Sequence, residues 1–281
     1  MQMKKVIINA DDFGLTKEIN ESVKLGFQSG LITSASIITN TEHFYHAADV
    51  ILPQIENIDL GFHFNIVEGK SLTHPSLLCD DKGFFNNSYV DLLFKMNNKN
   101  VLLQMEQEFE AQIEKILKYH EISHLDSHVH IHSIPSIFKL FIKMAKKYNI
   151  KYIRLQKEIP YCIIRKSLII KYMINIIKNI LLNSFSFINS KVLKNESDIK
   201  TNDYLIGVLY TGFMDENTII NGLKCIKKEN SIVEIILHPS LCIDEKNTHD
   251  LKYNEFLITQ NMDFLLLLNS CGYRQSNYQS L

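Results

Sequence analysis

Short apolar runs that do not alternate with polar residues constrain the fold of this chain more than any other feature. Residues 6–10 form the first such run, and similar runs recur along the chain. A strand that is apolar on both faces is typical of a parallel sheet covered on both sides. Stretches with helical spacing separate the runs, beginning with Ile19, Val23 and Phe27, which are four residues apart. Strands alternating with helices predict an α/β fold with a parallel sheet.

The predicted elements account for most of the chain. Predicted strands cover residues 6–10, 33–39, 58–65, 124–132, 152–155, 204–209 and 233–237. Helical spacing recurs in residues 102–117, after Pro135, and in residues 215–227 and 256–268. Two segments, residues 66–98 and about 160–200, are predicted to be irregular insertions. With 281 residues, 46% of them apolar, the chain suffices for one large α/β domain over residues 1–281.

Polar residues stand at the carboxyl ends of the predicted strands. In a parallel sheet, barrel or open, reacting groups collect at that edge. One such residue would be weak evidence, but polar groups at five strand ends favour a functional site on one rim. The residues concerned are Asp11 and Asp12, His63, Asp126 and His128, Arg154, and His238.

A histidine-rich stretch at residues 124–132 is the densest of these clusters. It holds four of the eleven histidines of the chain, with an aspartate among them. Imidazole is a common ligand of divalent metals and titrates near neutral pH, which favours metal binding or acid–base chemistry. The alternative is a solvated histidine-rich loop without a ligand. The five residues are His124, Asp126, His128, His130 and His132.

Adjacent carboxylates together with imidazoles are the usual parts of a hydrolytic metal site. On a non-helical turn, Asp11 and Asp12 point in different directions, so that one can bind a metal and the other can act as a base. One aspartate with two histidines leaves a coordination position for water. His238, near the other end of the chain, is free to act as an acid. The alternatives are a simple strand-terminating turn at Asp11 and Asp12 and a structural histidine before Pro239.

Four blocks of the sequence resemble the YdjC-like carbohydrate deacetylases. They are residues 8–15, 61–64, 124–130 and 234–239, and residues 5–278 can be laid along the family pattern. Residues 83–84, 153–155 and 210–212, with Asp203 and Gly207, are most similar to the hopanoid-biosynthesis-associated branch. The resemblance implies a deformed, TIM-like (β/α) barrel of seven or eight strands and a bound divalent cation. It also implies removal of an acetyl group from an N-acetylated amino sugar.

The resemblance also implies roles for residues at the motif positions. Asp12, His63 and His128 would hold the metal, Asp11 would be the general base and His238 the general acid. Because an Asp-His-His set suits zinc but also accepts magnesium or manganese, the choice among Zn²⁺, Mg²⁺ and Mn²⁺ stays open.

Other residues are expected to support this set. We expect Arg154 to keep Asp11 ionised by its opposite charge, and Asp126 to orient a histidine. The family often has proline where this chain has Gln156, so the loop beside Arg154 is expected to differ. The remaining histidines of the stretch are expected to surround the site as supporting or structural groups: His124, His130 and His132.

The sequence leaves the substrate and the exact reaction open. An N-acetylated oligosaccharide and a glycolipid both fit the resemblance. The alternatives are another metal-dependent hydrolase on the same barrel, either a phosphoesterase or a different amidohydrolase, and a non-catalytic sugar-binding protein. All the base, ligand and acid positions are filled, which argues against the non-catalytic alternative.

Charge and composition limit the partners. The formal charge of −1 gives no basic field for nucleic acid. Residues 161–193 are apolar with interspersed basic residues, and their longest uncharged run has 12 residues, short of the roughly 20 that span a bilayer. This pattern favours an amphipathic helix. The helix is expected either to pack as a lid or against a partner, which could be a second copy of the chain, or to lie on a membrane surface.

The cysteines and the N-terminal sequence bear on the cellular location. Five scattered cysteines without a C-x-x-C pair, and no signal peptide, predict a cytoplasmic enzyme. The alternative is a peripheral position at the inner face of the membrane.

Overall fold

Eight strands form one sheet in which every pairing is parallel. The computed structural model describes residues 4–161, 169–241 and 251–281, so Cys162, Cys242 and residues 162–168 of the 161–193 segment lie outside the described residues. The strands are β1 (Lys4–Phe13), β2 (Ser34–Ile37), β3 (Leu60–Phe64), β4 (His124–Ser127), β5 (Tyr152–Ile153), β6 (Tyr204–Ile206), β7 (Ile232–Leu237) and β8 (Tyr273–Gln275).

The sheet curls into the expected deformed barrel. Its strand order is β5-β4-β3-β2-β1-β7-β6, and β8 pairs with the first residues of β1. Among the described residues the two edges are bridged by a few backbone bonds. The N–H of Leu205 in β6 donates to the carbonyl of Lys157 beyond β5 at 2.8 Å, and Lys200, before β6, exchanges bonds with Lys151 and Ile153. Since the strands are parallel, their carboxyl ends share one rim. The prediction of an α/β barrel is confirmed, with a seam that is bonded only sparsely.

Helices cover the outside of the sheet. They are α1 (Lys17–Gln28), α2 (Tyr89–Lys95), α3 (Lys99–Ile116), α4 (Pro135–Lys147), α5 (Ile169–Leu193), α6 (Glu216–Cys225), α7 (Leu251–Gln260) and α8 (Met262–Ser270). Local sequence sets several starts: the side chains of Thr16 and Asp215 cap α1 and α6, and Pro135 occupies the first turn of α4. The main core lies between the sheet and these helices. There the ring of Phe109 in α3 packs against Phe62 of β3 at a centroid distance of 5.0 Å.

The inside of the barrel is polar. The amide of Asn9 in β1 donates to the hydroxyl of Ser36 in β2 at 2.9 Å, and that hydroxyl donates to Asp126 in β4 at 2.6 Å. Below them the ring of Tyr278, near the carboxyl terminus, stacks on His124 with 3.9 Å between centroids. Gly61 makes room for this imidazole, since a Cβ there would lie 2.2 Å from Nε2 of His124. The buried polar groups of neighbouring strands therefore satisfy one another.

Several predicted boundaries were wrong. The strand predicted for residues 124–132 ends at Ser127, because Val129 and His130 adopt positive φ angles of 53° and 59° and turn the chain. Residues 256–268 are not one helix, since Asn261 separates α7 from α8 and caps the second. The predicted irregular insertion at residues 66–98 contains α2, and β8 was not predicted. The helix favoured for residues 161–193 is present as the 25-residue α5. Within the described residues, no helix is both long and apolar enough to cross a bilayer.

Candidate active site

A β-bulge brings two adjacent carboxylates to the same side of β1. Regular alternation would place Asp11 and Asp12 on opposite faces. The pairing of β1 with β2 shifts register between Ala10 and Phe13, and Asp12 has a positive φ of 65°. As a result Asp11 bonds Arg154 and Asp12 bonds His128, both at the carboxyl rim. A non-glycine residue in this region is strained by about 1–3 kcal/mol, which is typical of functional sites.

Asp12, His63 and His128 form a three-ligand cluster at this rim. One ligand atom from each lies within 4.8 Å of the others. Oδ1 of Asp12 is 2.8 Å from Nδ1 of His128 and 3.6 Å from Nε2 of His63. Nδ1 of His63 lies 2.7 Å from Asp126, so it donates there and leaves the lone pair of Nε2 toward Asp12. A carboxylate behind a ligand imidazole is the usual support of a metal-binding histidine, and these residues fit a divalent cation.

A second cluster fits a cation less well. Asp11, His63 and Asp126 also offer ligand atoms within 4.8 Å of one another. However, Nη2 of Arg154 already lies 2.7 Å from Asp11 and 2.6 Å from Asp126. The guanidinium therefore supplies the positive charge that balances these two carboxylates. A metal cation bound there would be repelled by the guanidinium. The cluster centred on Asp12 is the candidate metal site.

Arg154 is fully buried behind Asp11. It holds both oxygens of Asp11 at 2.7 Å, and its Nε donates to Glu234 of β7 at 2.8 Å. Burial opposes its charge, but the carboxylates of Asp11, Asp126 and Glu234 keep the pKa of Arg154 well above its ordinary value. Burial likewise opposes the charge of Asp126, yet Arg154 and His63 hold the pKa of Asp126 well below its ordinary value. Arg154 thus binds Asp11 and Asp126 from behind, and because it is fully buried it offers no surface to substrate.

Glu234 was not predicted to take part in this network, although the sequence carries a signal. It is the one charged residue within the apolar run of β7. A lone charge in a buried strand needs a partner of opposite charge. Its partner, Arg154, lies 80 residues away in sequence, so only the fold identifies it.

Glu68 joins the cluster from the loop before α2, and sequence reasoning missed it. Its Oε1 lies 3.0 Å from Nε2 of His128, and its own carbonyl accepts bonds from the amides of Asn40 and Asn65. Burial would lower the pKa of His128, but Asp12 and Glu68 raise it to about 10. Burial would raise the pKa of Asp12, but His128, with the nearby imidazoles, holds it well below its ordinary value. His128 and Asp12 therefore carry opposite charges in the metal-free site.

His238 follows β7 and is 20% exposed, on the same rim. Its backbone N–H donates to Oε2 of Glu255 in α7 at 2.5 Å, and its Nδ1 is 3.5 Å from the same oxygen. Burial would lower the pKa of His238, but Glu255, followed by Asp12 and Asp11, raises it. Glu255, which was not predicted, thus favours the protonated imidazole that a general acid requires.

The other three histidines of the 124–132 stretch are buried and neutral. His124 lies between the hydroxyls of Ser36 and Ser123, and burial lowers its pKa to about 4. His132 bonds Ser127, and burial lowers its pKa to about 3. Nδ1 of His130 is 2.9 Å from the amide of Gln156, and burial holds the pKa of His130 well below its ordinary value. Gln156, the departure from the family pattern, therefore orders the turn that follows His128.

A cleft of about 540 Å³ opens beside Glu68. Its wall is the loop of residues 66–88, in which Phe84 is 46% exposed and bridges Lys70. That loop is tied down by Glu108 of α3, whose carboxylate accepts the N–H groups of Leu72 and Thr73. The residues lining the cleft include Leu15, Asn40, Glu68, Ser71, Leu72, Phe84 and Lys115. A long ligand bound at the cluster could extend into this cleft past Glu68.

Comparisons with known sequences identify the family to which the chain is similar. A family model described as YdjC-like protein matches residues 5–274. A carbohydrate deacetylase of Thermoanaerobacter pseudethanolicus is 27% identical over 289 aligned positions, which cover 99% of this chain and 100% of that protein. Another, from Clostridium beijerinckii, is 32% identical over 148 residues. That second match covers 52% of this chain and spans only 58% of the relative's length.

A solved structure shares the fold. It is a crystal structure from Enterococcus faecalis, described provisionally as a cellobiose-phosphate cleavage protein. It superposes with a TM-score of 0.72, covering 99% of this chain and 98% of that chain, at 21% identity. At this identity the likeness concerns the fold alone.

Proposed function

This chain belongs to the YdjC-like protein family, and from that premise we propose that it is a metal-dependent carbohydrate deacetylase. It removes the acetyl group of an N-acetylated amino sugar by hydrolysis. One observation carries the proposal: the Asp12, His63 and His128 cluster shares its rim with Asp11, which Arg154 binds, and with His238, whose pKa Glu255 raises. Base, ligand and acid positions are thus filled on one rim, as amide hydrolysis requires.

The residues of the chain divide the proton transfers between them. A divalent cation held by the cluster would polarise the acetamide carbonyl and lower the pKa of a water molecule. Asp11 accepts the proton of that water at Oδ2, which has a second lone pair beside its bond from Arg154. The water oxygen bonds to the carbonyl carbon and the C–N bond breaks. His238 gives its proton to the departing amine nitrogen, and the products are acetate and the free amino sugar.

The donor set leaves the choice of metal to experiment. One carboxylate and two imidazoles suit zinc and also accept magnesium or manganese. We propose one divalent ion per chain, and the metal that restores activity to chelated protein identifies it.

Acetate release with and without a chelator tests the proposed reaction. The substrates are N-acetylglucosamine oligomers of increasing length and an N-acetylglucosaminyl lipid. We expect acetate from at least one of them, abolished by the chelator and restored by a divalent metal. Phosphate release from phosphosugars without acetate release would favour a phosphoesterase. Tight oligomer binding with neither product would favour a sugar-binding protein.

The substrate specificity is proposed to depend on Phe84. We expect Phe84→Ala to raise KM for a trisaccharide about tenfold with little change in kcat, because an apolar platform in the cleft is lost. The KM for the shortest substrate should change less. Steady-state kinetics across chain lengths measure this. Phe94→Ala is the matched control, since Phe94 is 78% exposed on α2 and does not line the cleft. Equal effects on all chain lengths would contradict the assignment of the cleft.

The pH profile is proposed to depend on Glu255. A general acid must be protonated, so activity is lost as pH rises through the pKa of His238, which is raised above 6.5 mainly by Glu255. Glu255→Gln should therefore move the alkaline limb of the kcat/KM profile to lower pH. Glu229→Gln removes an exposed carboxylate elsewhere and should leave the limb in place. An unmoved limb in Glu255→Gln would show that another group is the acid.

A further inference from the structure

Helix α5 packs on the protein with its polar side. The most deeply buried side chains of α5 are mostly amides and hydroxyls: Asn175, Asn179, Leu182, Ser186 and Asn189. In most helices of a globular protein the apolar side faces the core and the polar side faces water. In α5 the deepest positions are polar instead, and apolar side chains that pack against the cores are only partly buried: Tyr172, Ile176, Phe185, Val192 and Leu193.

Side-chain amides hold this helix in place. Asn179 donates to the buried carboxylate of Glu158 at 3.1 Å, and Asn189 donates to the carbonyl of Ser133 at 2.8 Å. Asn175 donates to the carbonyl of Thr211. Glu158, Ser133 and Thr211 lie in the loops after β5, β4 and β6, so α5 rests on the rim that carries the candidate active site. Directional hydrogen bonds fix which side of α5 faces inward.

The outer side of α5 is apolar. Six large side chains are between 45% and 66% exposed: Met173, Ile174, Ile177, Ile180, Phe187 and Ile188. Their spacing of three and four residues places them on one stripe of the helix. Monomeric soluble proteins rarely expose a continuous apolar patch unless something covers it.

The basic residues in and around α5 indicate what kind of partner covers the apolar stripe. Residues 159–195 contain six basic residues and no acidic residue, although the whole chain has a net charge of −1. Among the described side chains, Lys178 is exposed, and Nζ of Lys191 lies 4.2 Å from the ring centroid of Phe187. A second copy would bring two basic segments together, which is unfavourable. An anionic surface with an apolar interior matches both the charge and the stripe.

We propose that the outer side of α5 is a docking surface for a membrane that contains anionic lipids. The apolar stripe enters the boundary between head groups and acyl chains, and the lysine side chains reach the lipid phosphates. Because α5 rests on the rim of the barrel, docking brings the candidate active site to the lipid surface. The proposal goes beyond the proposed function and does not depend on it.

Vesicle flotation tests this inference. The full chain is mixed with vesicles of phosphatidylcholine alone or with phosphatidylglycerol. We expect partitioning into the anionic vesicles to exceed that into neutral ones by about tenfold and to weaken as salt increases. The double variant Ile177→Asp, Ile180→Asp should lose more than about tenfold of the partitioning. Phe94→Asp changes an apolar side chain on α2 that is even more exposed, at 78%, and should have no effect.

The outcomes that overturn the proposal are distinct from those that overturn deacetylation. Absence of binding to anionic vesicles, or equal binding by the α5 variant and the native chain, would overturn it. So would a dimer in analytical ultracentrifugation that the α5 variant dissociates without any lipid binding, since the stripe would then be an interface between copies. Thermal unfolding of each variant excludes loss of folding as the cause. If the protein releases acetate but does not bind vesicles, only the docking proposal is overturned and the proposed function stands.

Discussion

Replacement of Asp11 by asparagine is expected to lower kcat for deacetylation by about a thousandfold, within the range usual for loss of a general base. The amide keeps the shape of the side chain, and its oxygen can still accept a bond from Arg154, but it cannot take a proton from water. The metal content should stay at one per chain, because the cluster of Asp12, His63 and His128 does not use Asp11. Single-turnover acetate release and metal analysis of the purified variant measure both effects.

A matched control separates this effect from the cost of removing a buried charge. Asp59→Asn changes another fully buried carboxylate, which accepts the backbone N–H groups of Tyr278 and Gln279 away from the rim. It should lower the unfolding temperature without changing kcat. Nearly native turnover in Asp11→Asn would show that Asp11 is not the base. Loss of metal from Asp11→Asn would show that the cluster with Asp126 is the true metal site.

Removal of a ligand imidazole is expected to abolish both metal binding and activity. His63→Ala and His128→Ala each leave two of three protein ligands, too few to retain a divalent ion through dialysis. Asp126→Asn should act more mildly, lowering the metal affinity about 10–100-fold, because Asp126 orients His63 without belonging to the cluster. Metal-to-protein ratios after dialysis, together with titration of the metal-free protein, distinguish the two classes.

His130→Ala is the control for this series. It lies two residues from His128 but bonds Gln156, so its removal should leave the metal bound. Retention of metal by His128→Ala, with loss in His130→Ala, would reverse the assignment of ligands within the histidine-rich stretch. Each variant is compared at a temperature below its own unfolding transition, since the turn at Val129 and His130 is strained.

The strands and the residues at their ends could be predicted from the sequence because both depend on local patterns. Continuous apolar runs of four to six residues identify buried parallel strands, and helical spacing between them implies parallel connections. In a parallel sheet all carboxyl ends meet on one rim, so Asp11, His63, Arg154 and His238 were expected together before any contact was known. The family motifs added the roles of these residues.

The partners of these residues could not be predicted, since they come from distant parts of the chain. The register of β3 with β4 places His63 opposite Asp126, and 80 residues separate Arg154 from Glu234. Glu68 lies in an irregular loop, where no periodicity indicates a direction for its side chain. The bulge that turns Asp11 and Asp12 to one side is a property of strand pairing, not of the residues themselves.

Helix α5 shows most clearly which property the sequence predicts and which one the tertiary structure determines. Spacing alone predicted an amphipathic helix in residues 161–193, with either a packed or an exposed apolar side. The periodicity of a helix identifies two faces but does not say which one is buried. That depends on what the neighbouring loops offer, and here Glu158 and the carbonyls after β4 and β6 bind the asparagines. The tertiary structure therefore decided that the polar face lies inward and the apolar face outward.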